Sequence, residues 1–172
     1  MALAEEFGLK EYPSPAGGCL LTDPIYSYRL KELLSHNPDP SVKDINLLRL
    51  GRHFRLSPEC KAIVGRDREE NAAIEGLAEK EDYLLRVIGY GSPVTLLTGK
   101  VTERDIELGA SLCARYSDGK YMPSLKVKVK ALSTGTDTYL ITRPATEEEI
   151  KPLRISQPEG KRKIKEGLQL TG

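Results

Sequence analysis

The 172-residue sequence has no tryptophan, two phenylalanines, two histidines and three cysteines, and each shortage removes a class of function. Cys19, Cys60 and Cys113 make an odd count with no C-x-x-C pair, which argues against a zinc ribbon and for a reducing compartment. Two histidines without a spaced pair of carboxylates give no metal site. No apolar run approaches the roughly 20 residues that cross a bilayer, and Met1 to Glu6 offer neither a basic nor an apolar stretch to direct export. The expected location is cytoplasmic, away from membrane. No Walker or Gly-x-Gly-x-x-Gly loop is present to cradle phosphates, so no cofactor is expected in this chain.

Charge of one sign is not in excess either: 26 Lys and Arg face 25 Asp and Glu, a formal net charge of +1. Its distribution is informative. Arg49 to Arg68 carry six basic residues against Glu59 and Asp67, Arg115 to Thr136 five against Asp118, and Lys151 to the end six against Glu159 and Glu166. Acidic residues collect before Arg49, between Asn71 and Cys113, and at Glu147 to Glu149. The blocks fold either into a basic face opposite an acidic one or into scattered solubilising charge, because sequence blocks need not become spatial patches.

What is present is organised around Ile63 to Leu97. Ile63 and Val64 end an apolar strand, Gly65 permits a tight turn, and Asp67 with Glu70 three residues on has capping-box spacing for a helix. Ile74, Leu77 and Ala78 form that helix's apolar face. A strand from Tyr83 to Ile88 follows, and Gly89 to Pro93 turns the chain into Val94 to Leu97.

Before this stretch, Tyr12 to Gly18 reads as a loop, and Asp23 and Pro24 as cap and first residue of a helix with Tyr26, Leu30, Leu33 and Leu34 inward. A second helix is predicted from about Ser41 to Leu50, with Val42, Ile45, Leu48 and Leu47 apolar, making a helical hairpin. Phe54 to Leu56 and Cys60 to Gly65 read as strands. After the stretch, Thr102 and Asp105 predict a helix to Tyr116 with Ile106, Ala110, Cys113 and Ala114 inward. Leu125 to Ala131 alternates strictly and predicts a strand, with Thr138 to Thr142 as its hairpin partner.

Several residues carry candidate chemistry. Arg49, Arg52, Arg55, Arg66 and Arg68 can converge on an RNA backbone, Arg66 lying just before a helix N-terminus that favours anions. His53 either touches phosphate or a base, or is an ordinary histidine at a strand start. Lys126, Lys128 and Lys130 share one strand face, as a phosphate track or as edge protection against aggregation. Tyr90, Tyr116 and Tyr121 lie where a base can stack. Cys19, beside Gly17 and Gly18 and shortly before a helix N-terminus, is either a structural thiol or a reactive one. Cys60 and Cys113 read as core residues.

Val64-Gly65-Arg66 followed by Asn71, the Ala/Leu helix, Glu79 to Val87, Gly89 to Leu97 and Ala114 to Lys120 come in an order that resembles the RNA-binding domain of the NFACT proteins, over roughly Cys60 to Pro144. Asp82 sits where that family's Asp-(hydrophobic)-Trp-(hydrophobic)-His segment begins. Leu84 replaces its Trp, Arg86 its His, and Pro93 the His of a Pro-Gly-Ser-His turn. A second resemblance covers Pro13 to Pro24, the hairpin and Gly51 to Leu56. It is to PP-loop tRNA 2-thiouridylases, often labelled tRNA methyltransferases, that carry an NFACT-type domain. It implies that Cys19 carries sulfur. The PP-loop itself, Ser-Gly-Gly-x-Asp-Ser, is absent from this sequence, so ATP is expected only in a separate PP-loop ATPase domain.

These readings predict an α+β fold: an N-terminal helical hairpin packed on an antiparallel or mixed sheet of about five strands, with two helices covering one side. Residues 1–56 are expected to be a linker with the Gly-Gly-Cys loop and hairpin, 57–155 the NFACT-like RNA-binding domain, and 156–172 a basic tail. The expected function is tRNA or other structured-RNA binding, as the accessory part of an ATP-dependent tRNA-thiolating enzyme and not catalytic alone. The alternatives are a module that docks an ATPase domain or the ribosome without touching RNA, and a stand-alone thiol-transfer protein.

Overall fold

Asp23 begins the first helix as the spacing predicts. Its Oδ1 accepts from the backbone N of Ile25 at 2.9 Å, and α1 runs Pro24–His36. The computed structural model describes residues 23–156, so the Gly17 to Cys19 loop and the tail beyond residue 156 lie outside the described residues. Ser41 and Asp44 form a capping box for α2, Val42–Leu47. This helix is shorter than expected, because Leu47 and Leu48 are the buried positions and Val42 faces solvent. Arg29 of α1 donates to the carbonyls of Leu48 and Gly51 at 2.7 and 2.9 Å, tying the hairpin to the start of the sheet.

Six strands follow, β1 (Arg52–Ser57), β2 (Cys60–Val64), β3 (Tyr83–Val87), β4 (Thr95–Gly99), β5 (Leu125–Ala131) and β6 (Thr136–Thr142). All pairings are antiparallel, in the order β1-β2-β4-β3-β5-β6. This corrects the expected five strands and removes the mixed-sheet option. The sheet takes in β1, which a division at residue 57 leaves outside.

The two long helices after β2 do not share a side. α3, Arg68–Leu77, is capped by Asp67 and buries Ile74 against Leu47, Ile63, Val94 and Leu96. α4, Glu103–Arg115, is opened by the Thr102–Asp105 capping box and buries Ala110, Leu112 and Cys113 against Phe54, Ala62, Val64, Leu85, Leu97 and Val127. Neighbours such as Ile63 and Val64, or Leu96 and Leu97, point to opposite faces because the side-chain period of a strand is two. Both faces of the central strands are apolar for that reason. A short helix, α5 (Glu147–Ile150), carries a Thr146–Glu149 capping box. It is followed by a 3-10 turn at Lys151–Leu153, and the chain then closes the β1 edge through a bridge between Phe54 and Arg154.

Asp82 anchors the hairpin from below. Its carboxylate accepts from Lys43 Nζ at 3.0 and 3.3 Å and from the Glu79 backbone N at 2.7 Å, and Lys43 also donates to Thr98 Oγ1 at 3.2 Å. Asp82 is thus a structural pin in this chain.

Candidate nucleic-acid interface

Gly65 ends β2 where no side chain fits. A Cβ there would lie 2.0 Å from Asn71 Oδ1, and that oxygen accepts from the Val94 backbone N at 3.1 Å while Gly65 N donates to Val94 O at 3.0 Å. The Val64-Gly65-Arg66 and Asn71 signature is therefore a backbone lock. It holds the N-terminus of α3 against the turn that leads into β4. On the other side of that turn, Gly91 O accepts from Asp118 N at 2.8 Å, which brings the end of α4 alongside.

Between these three segments lies a cleft of about 690 Å³. Six basic residues line it, Arg52, Arg66, Arg68, Arg86, Arg115 and Lys120, against Asp67, Glu75 and Asp118. The acids are partly committed: Asp67 caps α3 by accepting from Glu70 N at 2.8 Å, and Glu75 pairs with Arg86 at 2.5 Å. Arg115 reaches out to Glu147 at 3.1 Å. Arg52 lies over the Tyr116 ring, 4.5 Å from its centroid, and that ring is held in turn by Phe54 and by Arg154, which donates to its hydroxyl at 3.4 Å. Arg68 and Lys120 make no ion pair among the described residues. The cleft has a surplus of positive charge held on rigid elements.

Arg66 is oriented by Glu70. Its Nε and Nη2 donate to the two carboxylate oxygens at 3.0 and 2.7 Å, while the side chain stays 49% exposed and lines the cleft. The Arg66 hydrogen bond holds Glu70 at about 2, well below its ordinary 4.5. A carboxylate with a depressed folded-state pKa contributes stability that is complete above the unfolded value and lost as pH falls toward the folded one. Stability should therefore drop between pH about 4.5 and about 2 by on the order of 1 to 2 kcal/mol from this group, allowing for solvent screening of Arg66. Urea unfolding of Glu70→Gln across that range should show the drop reduced.

The sequence candidates separate on this frame. Arg52, Arg66 and Arg68 come together in the cleft. Arg55 does not: it faces the opposite side of β1 and makes a two-pronged bridge to Glu32 of α1 at 2.7 and 2.8 Å. His53, on the same side as Arg55, is only 1% exposed. Its Nε2 lies 2.9 Å from the carbonyls of Leu47 and Leu50, and burial pushes its pKa well below 6.5. A neutral, buried ring cannot meet RNA, which corrects the reading of His53 as a contact. Arg49 is exposed on the turn after α2 and does not line the cleft. Lys126, Lys128 and Lys130 lie on β5, outside the cleft, on the face opposite Leu125, Val127 and Val129. Tyr116 lines the cleft, Tyr90 and Tyr121 are exposed on its flanking loops, and Cys19 lies outside the described residues. Cys60 and Cys113 are buried free thiols, and burial pushes Cys60 up to about 12.

Arg86, Arg115 and Lys120 are the cleft residues that sequence reasoning did not name as contacts. Arg86 had a signal, since it alternates with the core positions Leu85 and Val87; Arg115 and Lys120 were visible only as members of a basic block.

The family described as the NFACT protein RNA binding domain matches residues 51–154. The chain belongs to this family. In this NFACT RNA-binding domain the match begins at Gly51, so α1 and α2 lie outside it. A similar fold is seen in the solved structure of the C-terminal part of the fibronectin/fibrinogen-binding protein from Streptococcus suis. It is 14% identical with a TM-score of 0.55, covering 74% of this chain and 67% of that one. No curated protein matches the chain in sequence. No helix among the described residues is long and apolar enough to cross a membrane.

Proposed function

We propose that this NFACT RNA-binding domain grips RNA by its phosphate backbone in the cleft beside α3. The observation that carries the reading is the pair Arg68 and Lys120, without ion-pair partners among the described residues and lining one cleft with Arg52 and Arg66. Positively charged side chains on a pre-formed groove release counterions from RNA, which makes affinity depend on salt with a slope of roughly 0.7 to 0.9 per neutralised phosphate. Four contacts predict a slope of about 3. Fluorescence anisotropy with labelled folded tRNA, repeated across salt concentrations, measures it. A slope near zero, or no binding at low salt, contradicts the reading.

The finer reading takes tRNA as the RNA and a PP-loop ATPase domain as the partner, with Cys19 handing sulfur to its active site. Its support is the sequence resemblance of residues 13–56. Native-state alkylation should label Cys19 ahead of the buried Cys60 and Cys113. If Cys19 reacts no faster than they do, it leaves the mechanism.

A further inference from the structure

The two faces of the sheet are covered unequally. α4 lies against one face, with Leu125, Val127 and Val129 of β5 and Leu140 of β6 packed in its core. On the other face α2 and α3 bury residues of β2 and β4 and pack against Leu84 of β3. Beyond β3 that face carries Lys126, Lys128, Lys130, Tyr139 and Ile141. Tyr139 is 55% and Ile141 67% exposed, and no described helix packs its core there.

Register makes this face an extension of the cleft. Arg86, which lines the cleft, is the partner of Lys128, and Lys128 is the partner of Tyr139. One row of side chains therefore runs from the cleft across β3, β5 and β6 to the free edge. Lys126 Nζ sits 5.2 Å from the centre of the Tyr139 ring, with Ile141 opposite Lys126 on the neighbouring strand. The three lysines make no ion pair among the described residues; the only acid in register with them is Asp137, opposite Lys130. Edge protection does not explain them, because β5 is an interior strand paired on both sides.

We propose that RNA leaving the cleft crosses this open face as a single strand, its phosphates on Lys126, Lys128 and Lys130 and one base stacked on Tyr139. The inference rests on the RNA-binding reading and adds the form of the RNA. A duplex keeps its bases stacked on one another and presents no base face to an exposed tyrosine. An unpaired strand does, and a basic groove with an aromatic platform is the usual arrangement for holding one.

The test uses two RNAs, a blunt two-stranded duplex without a loop and the same duplex with a single-stranded tail of about eight nucleotides, within the usual site size of such platforms. At about 0.1 M salt the tailed RNA should bind on the order of 100-fold tighter, since three added phosphate contacts are worth about two powers of ten there. Tyr139→Ala should cost about fivefold with the tailed RNA alone, the lower end for loss of a stacked base, and Tyr139→Phe should restore it because the ring face remains. Alanine at Lys126, Lys128 and Lys130 together should lower the salt slope by about 2 for the tailed RNA and leave the blunt one unchanged. These side chains are on the surface, so circular dichroism should show the fold intact. Equal binding of both RNAs, unmoved by these variants, overturns the path while leaving the cleft reading in place; failure of both RNAs to bind ends both. Concentration-dependent dimerisation abolished by Ile141→Lys would assign the face to a second copy of the chain and likewise overturn it.

Discussion

Alanine at Arg66, Arg68 and Lys120 together is expected to weaken RNA binding about 100-fold at about 0.1 M salt. Each lost phosphate contact removes roughly 0.7 from the exponent of the salt dependence, and three of them make about two powers of ten at that concentration. The three side chains are exposed or half-exposed, so the fold should survive; among the described residues the contacts removed are those of Arg66 with Glu70 and the approach of Lys120 to the exposed Tyr121 ring at 5.3 Å. Arg55→Ala is the informative control. It breaks the bridge to Glu32 on the opposite face and should cost some stability while leaving the salt slope unchanged. If Arg55→Ala flattens the slope and the triple variant does not, the RNA lies over the hairpin side.

The second large effect is thermodynamic. Asp82→Ala should destabilise the domain by about 3 kcal/mol, the lower end for a broken buried pair, because it leaves the Lys43 ammonium with only the exposed carboxylate of Glu79 at 3.4 Å. Asp82 is 1% exposed and Lys43 only 10%, and the lost carboxylate also strands the Glu79 backbone N. Against a total of about 5 to 15 kcal/mol for a typical domain, this is enough to unfold much of the protein at moderate urea. Replacing both members of the pair, as Asp82→Ala with Lys43→Met, should recover part of the loss, since no buried charge is then left unpaired. A single-variant cost under about 1 kcal/mol would contradict the role of Asp82 as a pin.

What the sequence disclosed follows from how local each signal is. Asp23 with Pro24, and Thr102 with Asp105, act within one helical turn, and both caps form as spaced. The alternation from Leu125 to Ala131 likewise gave β5 and its inward face correctly. Thr146 and Glu149 have the same capping-box spacing, yet α5 was not predicted, because a four-residue helix carries too little apolar pattern to draw attention. The side of the sheet each helix takes was not readable. That depends on β4 inserting between β2 and β3, a pairing between segments far apart in sequence.

The candidate site was legible in part for the same reason. The strand read from the sequence, Phe54 to Leu56, left Arg52 outside it; only because β1 begins at Arg52 does the odd separation put Arg52 and Arg55 on opposite faces. What set Arg52 in the cleft was Tyr116, 64 residues later and held by Phe54 and Arg154. His53 sat among arginines in the sequence, and only the closure of α2 over β1 shows that its ring spends its hydrogen bond on the Leu47 and Leu50 carbonyls. Long-range packing decides burial, and burial decided which basic residues remain available.

The central claim is that RNA occupies the cleft locked by Gly65 and Asn71. Backbone amide NMR of the isotopically labelled chain, titrated with tRNA fragments at low salt, tests it most directly. The account predicts the largest shifts at Gly65 to Asn71, at Gly91 and Ser92, and at Asp118 to Lys120, the three segments that form the cleft walls. Shifts confined to α1 and α2, with those segments unmoved, would contradict it.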